Sequence, residues 1–396
     1  TIIGMYDFDN NIASGWIFTN ATQSIPSSEP TAHAQITDGD PTRINRVRIE
    51  SGSGTIVTKW DEIRIATTWE ALLQAPPTYI WDAGGAGDRD WSTAANWTAD
   101  TEPTATNNAF IGGSYTGVVT AAGEVAADLY LGQGSTGALF QTGGTLGVNN
   151  LYLGYSNGAV GVYTLSDGIA TIATHMVVGA SGAATATVNG ASAKLEIGST
   201  LQVGMSNAIN RADFIQGAGT VTVANVYLGK SPATEGRYTM TGGVLVVSSD
   251  IFLADGSANS TGRLDVSGGR VDVGNINVGR DGLGLMTVSG TATINVIGAN
   301  SDIKIGDLSN NNRSNRLTVS GGVLNVGDNI EVGDAASTYG SALISGGSVT
   351  VTGQMFIGNS VNSTGEVTVS GGTINLLASQ GLIIGEEGLG SLTVHG

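Results

Sequence analysis

Apolar and polar residues alternate with period two through most of the chain, and the alternation itself repeats. The clearest unit reads apolar–x–apolar–Gly. Its closing residues are Gly132, Gly154, Gly179, Gly204, Gly229, Ala254, Gly279, Gly306, Gly333, Gly358 and Gly385. Six of the ten intervals are 25 residues, three are 27 and one is 22. A second unit, Val266-Ser267-Gly268-Gly269, falls between them. It recurs at Met240-Thr241-Gly242-Gly243, Val319-Ser320-Gly321-Gly322, Ile344-Ser345-Gly346-Gly347 and Val369-Ser370-Gly371-Gly372. Period-two alternation fits strands and not helices. A near-constant long period marks a stack of similar coils. The expectation is an all-β chain: a β-solenoid (parallel β-helix) of about eleven coils with roughly 25-residue repeats, plus a small N-terminal β region.

Within one coil the pattern predicts three short strands, Leu264-Asp265-Val266, Val271-Asp272-Val273 and Ile276-Asn277-Val278. Leu264, Val266, Val271, Val273, Ile276 and Val278 should face inward, and Asp265, Asp272 and Asn277 outward. Glycines should mark the corners, where the chain bends tightly. Strands about 4.8 Å apart would make eleven coils a rod of roughly 50 Å. Asn310-Asn311-Asn312-Arg313 reads as an insertion at one corner.

The amino-terminal part differs in composition. All six tryptophans (Trp16, Trp60, Trp69, Trp81, Trp91, Trp97) and six of the seven prolines precede residue 104. Three segments are predicted: a β region over 1–77, a Trp-rich cap or entry segment over 78–122, and solenoid repeats over 123–396. In the first, Arg46–Glu50 and Trp60–Ile65 alternate around the turn Ser51-Gly52-Ser53-Gly54, and Thr68–Leu73 reads as a short helical turn ended by Pro76-Pro77. The Asp61-Glu62-Ile63-Arg64-Ile65 run before Thr68-Trp69 resembles the closing strands of a LamG-like jelly roll, which implies that only the C-terminal part of such a domain is present. In the second segment, Trp81, Trp91 and Trp97 either cap the open end of the stack or, if exposed, bind sugars.

Composition narrows the function classes. The 61 glycines and 12% charged residues fit neither a collagen-like nor a charge-driven disordered chain. A net charge of −17 disfavours nucleic acid and leaves room for weakly held structural Ca²⁺, the one cofactor considered. There is no cysteine, hence no disulfide and no thiolate site. No apolar run is long enough for a membrane-spanning helix. No signal peptide is visible, and the last repeat stops at Val394-His395-Gly396, which reads as a processed chain or a piece of a longer one.

Catalytic signatures are sparse. His33, His175 and His395 are far apart, and His175 reads as a plain surface histidine. Asp250, Asp255, Asp265 and Asp272, with Arg263, Arg270 and Arg280 nearby, read as a solvated face with weak ion pairs. Gly84-Gly85-Ala86-Gly87-Asp88 matches a calcium-binding glycine-rich repeat only once. Asn-x-Ser/Thr triplets begin at Asn20, Asn96, Asn259, Asn312 and Asn362.

The most informative pattern is the x position. In order it holds Tyr130, Tyr152, Val177, Gln202, Tyr227, Phe252, Asn277, Lys304, Glu331, Phe356 and Ile383. Seven of these eleven are aromatic or apolar, although they should face outward. Three readings stay open: the residues stabilise the ladder by stacking, they pack against another copy of the rod, or they form a carbohydrate platform.

The repeat resembles those of bacterial autotransporter passengers and PEP-CTERM-type β-strand-repeat surface proteins. Trp91-Ser92-Thr93-Ala94-Ala95-Asn96-Trp97 resembles the element that precedes such repeats. The resemblance implies an extracellular, cell-surface location and carries no functional residue. The expectation is a non-enzymatic structural protein that forms or decorates a surface fibre by self-association. A carbohydrate-binding adhesin with surface polysaccharide as partner, and a polysaccharide lyase or hydrolase, are the alternatives.

Overall fold

The computed structural model describes the strands Ile2–Asp7, Ile12–Ile17 and Ala34–Thr37 and residues 78–395, apart from 206–210, 257–258, 299, 308–313 and 380. The chain divides into two units, Thr1–Pro77 and Thr78–Gly396. In the first, the three strands form an antiparallel sheet in sequential order, with Ile2 opposite Ile17 and Ile12 opposite Thr37. The strands expected over 46–50 and 60–65, the turn over 68–73 and the insertion Asn310–Arg313 lie outside the described residues.

The second unit is a parallel β-solenoid of about eleven turns at roughly 25-residue spacing. One coil shows how it is built. Thr261–Val266 pairs in parallel with Glu235–Met240 of the preceding coil and Leu283–Val288 of the next. A corner at Ser267–Gly269 leads into Arg270–Val278, which pairs with Val244–Leu253 on one side and with Thr293–Val296 and Ile303–Ile305 on the other. Gly274 bends that strand, so the three predicted strands are two continuous segments, one of them bent. The six residues expected inward are 0–2% exposed and belong to one core that runs the length of the stack. Stacking begins before residue 123, because Ala109–Ile111 already pairs with Leu129–Leu131.

The closing position of apolar–x–apolar–Gly needs a left-handed backbone. All ten glycines there have φ between +64° and +84°, and Ala254, the exception, takes φ +58°. This conformational demand, rather than packing alone, explains the near-invariant glycine along the chain.

A polar column runs beside the core. The residue before each apolar–x–apolar–Gly unit is polar except Gly381 before the last, and several of these residues link coil to coil. Asn150 Nδ2 donates to Asp128 Oδ1 (2.8 Å), and Asn275 Nδ2 donates to Asp250 Oδ1 (2.7 Å). The backbone N–H groups of Asp302, Asn329 and Gln354 donate to Asn275, Asp302 and Asn329 side-chain oxygens at 2.8–2.9 Å. The strand changes register at this bend, so backbone groups there would otherwise go unpaired.

Two buried glutamines break the apolar rule inside. Gln216 accepts from the Tyr238 hydroxyl (2.6 Å) and donates to Val244 O (3.0 Å). Gln141 does the same with Tyr163 (2.8 Å) and Ile169 O (2.9 Å). Each pair ties the coil below to the coil above through a fully satisfied amide.

Candidate binding face

The x residues stand in one column. Pairing runs in register from Phe110 to Tyr130, Tyr152, Val177, Gln202, Tyr227, Phe252, Asn277, Lys304, Glu331, Phe356 and Ile383 without a slip at any step. Phe110 opens the aromatic part of the column, and Ile80 pairs with it from the coil before. The signal for Phe110, Ala109-Phe110-Ile111-Gly112, has the repeat motif at a shortened spacing of 20 residues.

The column is not the open apolar strip that the pattern predicts. Tyr130, Tyr152, Tyr227, Phe252, Phe356 and Ile383 are each half-buried, and Val177 is only 6% exposed. At three levels the residue that follows the closing glycine, or one coil further on, lies over a ring of the column. Tyr155 meets Tyr130 edge-on at 4.5 Å between ring centroids, Lys230 Nζ lies 3.9 Å over the Tyr227 ring, and Arg280 lies 5.1 Å over Phe252.

Three stretches follow along this face. At the first, Phe110, Tyr130 and Tyr152 stack at 4.4 and 5.1 Å with rings within 10° of parallel. Burial, with Asp128 nearby, pushes the Tyr130 and Tyr152 hydroxyls above the usual phenol range, so both stay neutral donors. In the middle, Tyr227 stacks on Phe252 at 5.0 Å. Beyond it the face turns ionic. Arg280 bridges Asp255 (2.6 Å) and Asp307 (3.8 Å), Lys304 reaches Asp334 (3.5 Å) and Glu331 (4.0 Å), and Asn359 donates to Glu331 (2.9 Å) and Asp334 (3.2 Å). Burial, with Asp334 beside it, pushes the Glu331 carboxyl above the usual carboxylate range. The charged stretch divides the aromatic part from Phe356 and Ile383.

The tryptophans expected as either a cap or a sugar platform are interior. Trp81, Trp91 and Trp97 are 2%, 0% and 0% exposed. Trp97 meets Trp81 and Trp91 edge-on at 4.9 and 4.7 Å, and its Nε1 donates to Trp91 O (2.9 Å). Without an exposed ring face they offer no stacking surface, which corrects the sugar reading for these three residues. They close the core beneath Ile111 and Leu139.

The other candidates are dispersed. Among the described residues His175 Nδ1 lies 2.8 Å from Thr200 Oγ1, and no carboxylate partners it. Asp265 holds Arg237 (2.9 Å) and Arg263 (2.7 Å), Arg270 pairs with Asp272 (3.1 Å), and Asp250 bonds Asn275. These acids are thus engaged in ladder and ion-pair contacts. No group of three or more His, Asp or Glu that could hold a metal ion occurs among the described residues, and no helix there is long and apolar enough to cross a membrane.

One acid escaped the sequence reading. Glu124, at the start of strand Glu124–Gln133, is 6% exposed. Burial first, then Glu102 and Asp90, push its carboxyl from 4.5 up to about 7. Because the folded value is raised, its stabilising contribution is full below pH 4.5 and is lost as pH rises through about 7. Glu124→Gln should therefore flatten the fall in Tm between pH 5 and 8 and melt higher than the parent at pH 8. Parallel melting curves over this range would contradict the assignment.

Neither a family model, nor a curated protein, nor a solved structure matches the chain.

Proposed function

We propose that the protein is an extracellular structural rod, without catalytic activity, that forms or decorates a cell-surface fibre or matrix through self-association. The supporting observation is the unbroken register of the outward column from Phe110 to Ile383. Aromatic stacks, amide ladders and ion pairs bind each coil to the next along the axis. Such coupling makes a long element stiff, because every coil is held by its neighbours on three strands. The same contacts engage the acidic and basic side chains that an active site would leave converging on a groove. The resemblance of the repeats and of the Trp91–Trp97 element to autotransporter passengers and PEP-CTERM-type proteins supports the surface location.

Self-association on this reading is lateral, between outward sheet faces. Phe140 and Ile215 lie in one axial column of such a face, separated by Thr164 and Thr187, and each is 37% exposed. Negative-stain electron microscopy across a concentration series tests this. Fibres or bundles with a regular axial repeat, thinned by Phe140→Lys or Ile215→Lys, are expected. Isolated short rods at every concentration would overturn the self-association.

A further inference from the structure

The aromatic stack does not run the whole face. It ends above Tyr152, where the column steps to Val177 and then Gln202, while the flanking column steps from Tyr155 to Ala180 and Met205. A change from ring to small side chain at one level in both columns leaves a hollow. The hollow is an open groove of about 370 Å³, and Tyr152, Tyr155, His175, Val177 and Gln202 line it. That volume lies at the small end of ligand-binding clefts, which span roughly 300–1,000 Å³.

The chemistry of the lining is specific. Tyr155 is 39% exposed although its edge packs on Tyr130, so part of the ring faces solvent at one wall. The lining also carries a short hydrogen-bond chain. Gln202 Nε2 donates to Thr200 Oγ1 (2.9 Å), and Thr200 Oγ1 lies 2.8 Å from His175 Nδ1. The direction of the His175–Thr200 bond follows the imidazole tautomer, which leaves Nε2 as a further polar atom of the lining, a donor in one tautomer and an acceptor in the other. Gln202 keeps Oε1 as an acceptor. An apolar ring beside polar side-chain groups of this kind matches a pyranose, which has an apolar C–H face and hydroxyls at its edge.

Charge selects among sugars. Among the described residues no Asp, Glu, Lys or Arg lines this groove. The chain as a whole carries −17, which repels anionic polymers. The lack of a carboxylate pair in the lining also separates binding from hydrolysis.

We infer that the groove between Tyr152, Tyr155, His175 and Gln202 is a binding site for a neutral, hydroxyl-rich glycan chain. The site adds a ligand to the rod and does not depend on self-association. It also places recognition where the aromatic ladder ends, one to three coils above the tryptophans.

Isothermal titration of the full chain with cellohexaose, laminarihexaose, mannohexaose and xylohexaose tests it, with hexagalacturonate as the anionic control. At least one neutral hexaose should bind at one site per chain, and hexagalacturonate at least tenfold more weakly or not at all. Tyr155→Ala should weaken binding about fivefold to tenfold, the size of one lost aromatic contact. Tyr155→Phe should retain binding, and Gln202→Leu should weaken it. Tyr227→Ala, on the same face but outside the groove, should bind as the parent does. Circular dichroism confirms that the variants remain folded, and fibre formation is read separately by microscopy. Absence of binding to every neutral hexaose, equal binding by Tyr155→Ala and Gln202→Leu, or preference for hexagalacturonate would overturn the site. So would a self-association step that Tyr155→Ala abolishes in the absence of any glycan binding, which assigns the groove to a second copy.

Discussion

Trp97→Ala is expected to destabilise the first coils of the solenoid by about 3–5 kcal/mol, the usual cost of emptying a fully buried aromatic site. Trp97 is 0% exposed and is the ring on which Trp81 and Trp91 both pack. Its Nε1 also donates to Trp91 O, so the substitution leaves a buried carbonyl without that donor. Among the described residues the indole N–H groups of Trp81 and Trp91 have no oxygen or nitrogen acceptor, and both rings meet Trp97 edge-on. Loss of that ring therefore removes the packing of the whole trio. In a solenoid each coil touches only its neighbours, so damage at one end stays near that end. Hydrogen exchange should show lost protection between residues 78 and 140 and unchanged protection beyond residue 220. Uniform loss along the chain would contradict this picture, as would no loss at all.

Gly236→Val is expected to cost more than about 3 kcal/mol and to act differently, because it lies in the middle of the stack. A Cβ at Gly236 would meet Val203 O at 2.0 Å and Gly229 N at 2.3 Å, both backbone atoms from outside its own strand. Backbone cannot rotate away as a side chain can, so coils must separate. Gly236 pairs with Ala212 below and Gly262 above. A clash there cuts the cooperative chain into two blocks, and urea unfolding should show two transitions where the parent shows one. A single transition at the parent's midpoint would mean that the coils do not interlock at this glycine.

The coil architecture was legible because two periods, two and about 25, are written together in the sequence. The equal spacing also made the register legible: residues 25 apart must lie on top of one another, so Tyr227 and Phe252 fall in one column. The half-burial of that column was not legible. It depends in part on Tyr155, Lys230 and Arg280 folding back over the stack, and the pattern of apolar positions holds no rotamer information. The inward glutamines Gln141 and Gln216 were missed because a polar residue in an alternating strand reads as outward-facing unless its buried partner, Tyr163 or Tyr238, is known. The role of the tryptophans stayed open in the sequence, since capping and sugar binding use the same residue type and differ only in exposure. Glu124 carried no signal, because its neighbours Glu102 and Asp90 are distant in sequence. The groove was invisible for a related reason. It arises from a change in side-chain size at one level of two columns, and only the second column, which the motif does not mark, completes it.

The binding face exists only if the outward residues of successive coils stand in register, and the absence of native cysteine allows a clean test. Tyr227 and Phe252 pair directly across adjacent parallel strands. Such neighbours lie about 4.8 Å apart, within the roughly 4.4–6.8 Å that a disulfide spans between Cα atoms. The double variant Tyr227→Cys/Phe252→Cys should oxidise to an intramolecular disulfide, located by peptide mapping with mass spectrometry. The pair Tyr227→Cys/Leu253→Cys should not, because Leu253 is 0% exposed and points to the core on the other side of the strand. A disulfide in the control pair, or none in the 227/252 pair, would contradict the register on which the column, the groove and the proposed function all depend.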